Sequence, residues 1–174
     1  MIEQIHTERL TVRRFHKDDC KDVYEYLSDK DVMKYIEYPF TYEETEEFIN
    51  TFSCENPRVY ALVENSTNKV IGHVIYHPYG YDNVYELGCI INKNYQGKGY
   101  AIEIGQALIK YGFETLKLHR IFSTTVMGNN QCSNLLEKLN MKREAVFKKA
   151  NFHNGSWIDE YWYAILENDY FDIS

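Results

Sequence analysis

A chain of 174 residues, 44% hydrophobic and 26% charged, has the size and balance of one folded domain that buries its core without metals or covalent staples. Its net charge of −7 and the lack of a basic stripe argue against a nucleic-acid partner, and the four scattered cysteines (Cys20, Cys54, Cys89, Cys132) form no C-x-x-C pair, which argues against a zinc site or a disulfide framework. No apolar run reaches membrane-spanning length and the opening MIEQIHTERL lacks a signal-peptide core, so a reducing, cytoplasmic setting with no membrane partner is expected.

In chain order, alternating Leu10 and Val12 predict a strand over about 9–15. Val23, Tyr26 and Leu27, then Val32, Tyr35 and Ile36, predict two short helices within 18–36, broken near Ser28-Asp29. Thr41 followed three residues later by Glu44 reads as a capping box opening a helix to about residue 52. Strands follow at 58–64 and 69–77 around the turn Asn65-Ser66-Thr67-Asn68, and at 83–92, whose apolar second half suggests a central strand covered on both faces. Ala101, Ile104, Ala107, Leu108 and Tyr111 predict an amphipathic helix over 100–117. A strand at 118–126, a helix at 130–139 and two strands at 142–152 and 157–166, joined at Asn154-Gly155, complete the order. The fold class expected is mixed α/β: one domain over 1–174, a mostly antiparallel sheet flanked by helices, with crossover helices in its second half.

The segment with chemical content lies between the strand at 83–92 and the helix at 100–117. Gln96-Gly97-Lys98-Gly99-Tyr100-Ala101 puts two glycines, free to adopt torsions other residues avoid, immediately before a helix N-terminus whose unpaired N–H groups attract anions. Lys98 adds a cation, and a pyrophosphate would fit there without a metal. The P-loop string G-x-x-x-x-G-K-[ST] does not occur. The dinucleotide fingerprint G-x-G-x-x-G fails at Ile102.

Gln96 to Ala101 fits the [Q/R]-x-x-G-x-[G/A] signature, and on it the chain resembles the GNAT superfamily of N-acetyltransferases. Tyr85-Glu86-Leu87-Gly88 looks like that family's motif strand. Tyr111-Gly112-Phe113-Glu114, Leu118-His119-Arg120-Ile121 and Asn130-x-x-Ser133-x-x-Leu136-x-Lys138-Leu139 resemble the branch holding ribosomal-protein N-terminal and polyamine acetyltransferases. Arg9-Leu10-x-Val12-Arg13 and Asn154-Gly155-Ser156-Trp157-x-Asp159 resemble the same branch, so the likeness spans nearly the whole chain. Where the branch continues Gly-Phe after its last helix this chain reads Asn140-Met141; Asn also tolerates the left-handed position and Met packs as an apolar residue.

The resemblance implies acetyl-coenzyme A as co-substrate, with no metal, held by Leu87, Gly88 and Ile90 on the motif strand, by Gln96, Gly97, Lys98, Gly99, Tyr100 and Ala101 at the loop, and by Asn130. It implies direct attack by an amine, either a small molecule or a protein N-terminus. Glu86 is the candidate general base; its alternative is a strand residue bonded to a polar neighbour. Ser133 is placed to donate to the leaving thiolate, or is a partly exposed helix serine. Asn130 contacts the pantetheine arm or caps its helix. No covalent intermediate is required, so Cys89 reads as core. Tyr79-Gly80-Tyr81 and Tyr35 to Phe40 are expected to wall the acceptor side; His119 reads as structural, and Trp157 and Asp159 as supports of the C-terminal strands that could also border the acceptor cleft. The aromatic content hints at a homodimer. The alternative function is a non-catalytic acyl-coenzyme A sensor on the same fold.

Overall fold

Period-two alternation and 3.6-residue periodicity do settle into strands and helices where the sequence places them. The computed structural model describes residues 4–54, 57–153 and 155–173. Its elements are β1 (Gln4–His6), β2 (Leu10–Arg13), α1 (Cys20–Leu27), α2 (Tyr42–Phe52), β3 (Val59–Glu64), β4 (Lys69–Tyr79), β5 (Tyr81–Ile91), α3 (Tyr100–Lys110), β6 (Arg120–Val126), α4 (Asn130–Lys138), β7 (Lys142–His153), β8 (Ser156–Leu166) and α5 (Glu167–Ile173). The class is the mixed α/β one expected, with strands mostly antiparallel and helices flanking them. The chain divides into two compact units, Met1–His77 with Cys89–Ile104 and Pro78–Gly88 with Gly105–Ser174, so β4, β5 and α3 each contribute to both.

In the first unit the strand order is β1-β2-β3-β4-β5, with β1, β2, β3 and β4 pairing antiparallel. All six residues of β3 are buried, which makes β3 the strand covered on both faces. The sequence assigned that place to β5, yet only Leu87 and Ile91 are buried there, and Cys89, expected in the core, is half-buried. Gly72 explains how closely β4 meets β5: a Cβ there would lie 2.1 Å from the Ile90 carbonyl oxygen. Phe15, Val23, Tyr26, Leu27, Met33 and Ile49 from the helical side pack on Val59, Ala61, Val63 and Val70 of the strands. The turn after β3 is closed by Asn68 N–H donating to Glu64 O (2.9 Å), with Asn68 in the left-handed region at φ 56°.

The capping box forms as read. Thr41 Oγ1 accepts from Glu44 N–H at 3.2 Å and Glu44 Oε2 accepts from Thr41 N–H at 2.7 Å. The second helix within 18–36 does not form; a single 3-10 turn at Met33–Tyr35 stands in its place. Asp29 opens what does form as a cap would: its Oδ1 accepts from Asp31 N–H (2.9 Å) and Val32 N–H (3.3 Å), and Met33 N–H donates to Asp29 O at 3.0 Å.

In the second unit the order is β5-β6-β8-β7. β6 runs parallel to β5 and antiparallel to β8, and β7 and β8 form a long antiparallel ribbon. Leu108, Ile109, Phe113, Ile121, Leu136, Met141, Tyr163 and Ile165 are among its buried apolar residues. After Lys110 the helical segment loosens into a π turn over Tyr111–Thr115, and the left-handed Lys117 (φ 55°) ends it. α4 closes with a Schellman motif: Met141 N–H donates to Leu136 O and Asn140 N–H to Glu137 O, both at 3.0 Å, with Asn140 at φ 60° and Met141 buried. Asn140 thus takes the left-handed position, and Met141 the apolar packing position, expected of them. Of the predicted Asn154-Gly155 turn, Asn154 lies outside the described residues and Gly155 has φ 79°. Two short elements at the ends, β1 and α5, were not foreseen. No helix among the described residues is long and apolar enough to cross a membrane.

Candidate functional site

The loop before α3 is built inside the first unit. Asn92 Oδ1 accepts from Asn94 N–H (3.0 Å) and opens a 3-10 turn over Lys93–Tyr95. The Gln96 side-chain amide turns back and donates to Ile91 O at 2.8 Å, tying the loop to the end of β5. Gly97 and Gly99 follow at φ 74° and 81°, torsions that L-residues rarely adopt, and a Cβ at Gly97 would meet nothing within 4 Å. Lys98 is exposed, its ammonium 4.6 Å from the centre of the Tyr95 ring. α3 then starts at Tyr100, with Glu103 N–H donating to Gly99 O. An open, glycine-lined turn facing a helix N-terminus, with an exposed cation beside it, can hold a phosphate by its backbone N–H groups.

Two carboxylates hold this loop in shape, and neither was singled out from the sequence. Arg9, just before β2, donates through Nη1 to Lys98 O at 2.9 Å and stacks 4.6 Å over the Tyr100 ring. Its guanidinium is itself held by Glu103 Oε2, with Nη2 at 2.6 Å and Nε at 2.7 Å. Glu103 Oε1 also accepts from Thr7 Oγ1 (2.6 Å) and Arg9 N–H (3.0 Å). Burial pushes the Glu103 carboxyl up, but the Thr7 and Arg9 donors outweigh it and hold it below the usual carboxylate range. The second carboxylate is Glu64, buried at the end of β3. It accepts from the Tyr100 hydroxyl at 2.6 Å and from Thr67 Oγ1 at 2.8 Å, and the Tyr100 bond leads in lowering its pKa. Arg9 stood in a motif noted in the sequence, but its partners are some 90 residues away, a separation that no local pattern reveals.

Of the remaining predicted residues, half-buried Ile90, Ala101 at the start of α3 and the segment from Tyr35 to Phe40 belong to the first unit and the others to the second. β5 and β6 pair in parallel over three positions, Val84 with Arg120, Tyr85 with Ile121 and Glu86 with Phe122. β5 continues through Leu87 and Gly88, and β6 continues to Val126, beyond the last registered pair. Glu86 is half-buried at the mouth of that divergence; Leu87 is buried. On α4 the N-cap is Asn129, whose Oδ1 accepts from Cys132 N–H at 3.2 Å. Asn130, expected as the cap, is instead the exposed first helical residue; the preceding Asn has the non-helical torsions that a cap requires. Ser133 lies one turn on, half-buried, its N–H donating to Asn129 O. Among the predicted structural residues, Asp159 accepts from Lys148 Nζ (2.8 Å) and Lys149 N–H (3.0 Å), and His119 Nδ1 is 3.1 Å from Glu167 Oε1. Among the described residues no group of three or more His, Cys, Asp or Glu is placed to hold a metal ion.

Comparison with known proteins gives a consistent result. Residues 9–142 match the family model described as acetyltransferase (GNAT) domain. The uncharacterised N-acetyltransferase YnaD of Bacillus subtilis (strain 168) is 41% identical over 167 residues, 95% of this chain and 98% of that protein. The crystal structure of a GNAT-family acetyltransferase from Bacillus anthracis has a TM-score of 0.89 at 43% identity, covering 95% of this chain and 99% of that one. Spermidine N-acetyltransferase from Vibrio cholerae, in complex with CoA and spermine, has a TM-score of 0.81 at 25% identity, covering 95% and 99%.

Proposed function

Because the chain belongs to the GNAT acetyltransferase family and is an N-acetyltransferase, we propose that it moves the acetyl group of acetyl-coenzyme A to a primary amine by direct attack in a ternary complex. The observation that carries this is the loop: Gly97 and Gly99 held left-handed at the start of α3, with Lys98 beside them and Arg9 pinning its carbonyl. The residues present fit a coenzyme pyrophosphate, since the N–H groups and the lysine cation match an anion and the glycines clear its approach. Gln96 shapes the loop, Tyr100 and Ala101 begin the helix that receives the anion, and Leu87, Gly88, Ile90 and Asn130 border the pantetheine arm.

In this reading Glu86 takes the proton from the attacking nitrogen, directly or through a water. The C–N bond forms as the C–S bond breaks, the Ser133 hydroxyl donates a hydrogen bond to the departing thiolate, and the proton held by Glu86 passes through water to the thiolate. Holding both substrates in one site provides much of the rate gain. We place the enzyme in the cytoplasm and treat the 174 residues as one catalytic domain that forms a homodimer.

The test is release of free thiol from acetyl-coenzyme A across a panel of amines, with thermal unfolding followed as acetyl-coenzyme A is added. Thiol release with an amine and a rise in melting temperature are expected. No rise at saturating ligand would sink the phosphate-cradle reading; a rise without release would favour the sensor function instead. In the same assay, Arg9→Ala is expected to raise the KM for acetyl-coenzyme A about tenfold, because the loop loses its tie to Lys98 O, and to change kcat far less. Equal loss in both constants would assign Arg9 another role.

A further inference from the structure

The second unit carries a cluster of aromatic rings that its core does not absorb. Phe122 and Trp162 lie parallel, with centroids 5.0 Å apart and planes inclined by 5°. Tyr79 meets Phe122 edge-on at 5.0 Å and Trp162 at 6.3 Å, and Phe147 meets Trp162 at 5.7 Å from the other side. Phe122 is buried beneath this group, but Tyr79 and Phe147 remain 50% and 48% exposed. A carboxylate is fixed at its edge: the Trp162 indole N–H donates to Glu160 Oε1 at 2.6 Å. The strand pleat puts Glu86, paired in register with Phe122, on the same sheet face. Arg120 shares that face, but both of its terminal nitrogens are held by the Glu144 carboxylate. Ring faces carry negative charge, and beside a fixed carboxylate they favour a cation with an apolar stem over an uncharged partner.

This inference rests on the acetyl-transfer reading, which adds one constraint. The nitrogen that attacks must be neutral, so recognising it as a cation would stabilise the ground state more than the transition state. A cation on these rings must therefore be a different nitrogen of the same acceptor. We propose that Tyr79, Trp162 and Glu160 form the acceptor-binding surface, and that it selects small amines with a second, charged nitrogen on a flexible apolar stem: di- and polyamines over monoamines and peptide N-termini.

The experiment compares putrescine and cadaverine with butylamine and with a tripeptide bearing a free α-amine and neutral side chains, in the wild type and in Tyr79→Leu and Glu160→Gln. Gln keeps an acceptor for the Trp162 N–H, and Tyr79 is half exposed, so neither change removes a core contact. The diamines are expected to exceed butylamine in kcat/KM by about tenfold or more, the worth of one desolvated cation–π or carboxylate contact. Each variant should pull that ratio toward one while the KM for acetyl-coenzyme A holds. Preference for the tripeptide, parity of butylamine with the diamines, or a ratio unmoved in both variants would overturn the proposal and leave acetyl transfer standing. Absence of turnover with every amine, together with no thermal shift from acetyl-coenzyme A, would overturn both.

Discussion

Replacing Glu86 by Gln is expected to lower kcat by roughly 10²–10³-fold while the KM and the thermal shift for acetyl-coenzyme A stay within twofold of wild type, the range for removing a positioned base. The substitution conserves shape on a half-buried strand residue, so it deletes the proton acceptor with little disturbance to the fold. Three features concentrate the effect here. Glu86 closes the registered part of the β5–β6 ladder, at the point where the two strands stop pairing. It is half-buried, between the exposed turn at Tyr79-Gly80-Tyr81 and the buried Leu87. It shares a face with Phe122 and the rings stacked on it. The measurement is steady-state thiol release for the variant with coenzyme binding followed in parallel. A kcat within about threefold of wild type would move the base elsewhere; loss of coenzyme binding together with kcat would make Glu86 a structural residue.

The parts of this molecule that a sequence discloses are those encoded over short range. The capping box of α2, the glycine loop before α3, the turn at Asn65–Asn68 and the Asn140-Met141 closure of α4 each depend on residues within about one turn of each other, and each forms as read. Misreadings arise where spacing overstates an element or where partners are remote. Apolar spacing over 18–36 promised a second helix; Asp29 accepts backbone N–H groups two and three residues on, as a cap does, yet only a 3-10 turn at Met33–Tyr35 follows. Asn129 and Asn130 are indistinguishable by composition, and only torsion decides which of them caps α4. Arg9, Glu64 and Glu103, which brace the loop, meet through strand order, and so do Tyr79, Phe122 and Trp162. Assignment of β5 as the doubly covered strand failed because a run of apolar residues reports hydrophobicity and not which strand ends up beneath the helices; β3 occupies that place.

Acid should destabilise the wild type more steeply than a His73→Gln variant. His73 on β4 is 3% exposed, hydrogen-bonded to the Tyr26 hydroxyl at 3.0 Å and flanked by the Tyr26 and Phe48 rings at 5.6 and 5.3 Å. Burial lowers its pKa to about 3, while in the unfolded chain the imidazole ionises near its ordinary value of 6.5. The same burial raises the Tyr26 hydroxyl well above its ordinary value, so both partners stay neutral in the fold. A depressed folded-state pKa means that the unfolded chain binds the extra proton. The stability that goes with a neutral His73 is therefore complete above about pH 6.5, falls by about 1.4 kcal/mol for each pH unit below that, and levels off near pH 3. Over the whole window the loss is about 5 kcal/mol, a sizeable part of the 5–15 kcal/mol typical of a folded domain. Glutamine keeps a polar partner for Tyr26 and cannot be protonated in this range, so the variant should be weaker than wild type at pH 7 and draw level as the pH falls. Urea unfolding at half-unit steps from pH 7 to pH 4.5 measures both slopes. Parallel curves for the two proteins would show that His73 takes up its proton in the folded state as readily as in the unfolded one, and that the Tyr26–Phe48 enclosure opens to water.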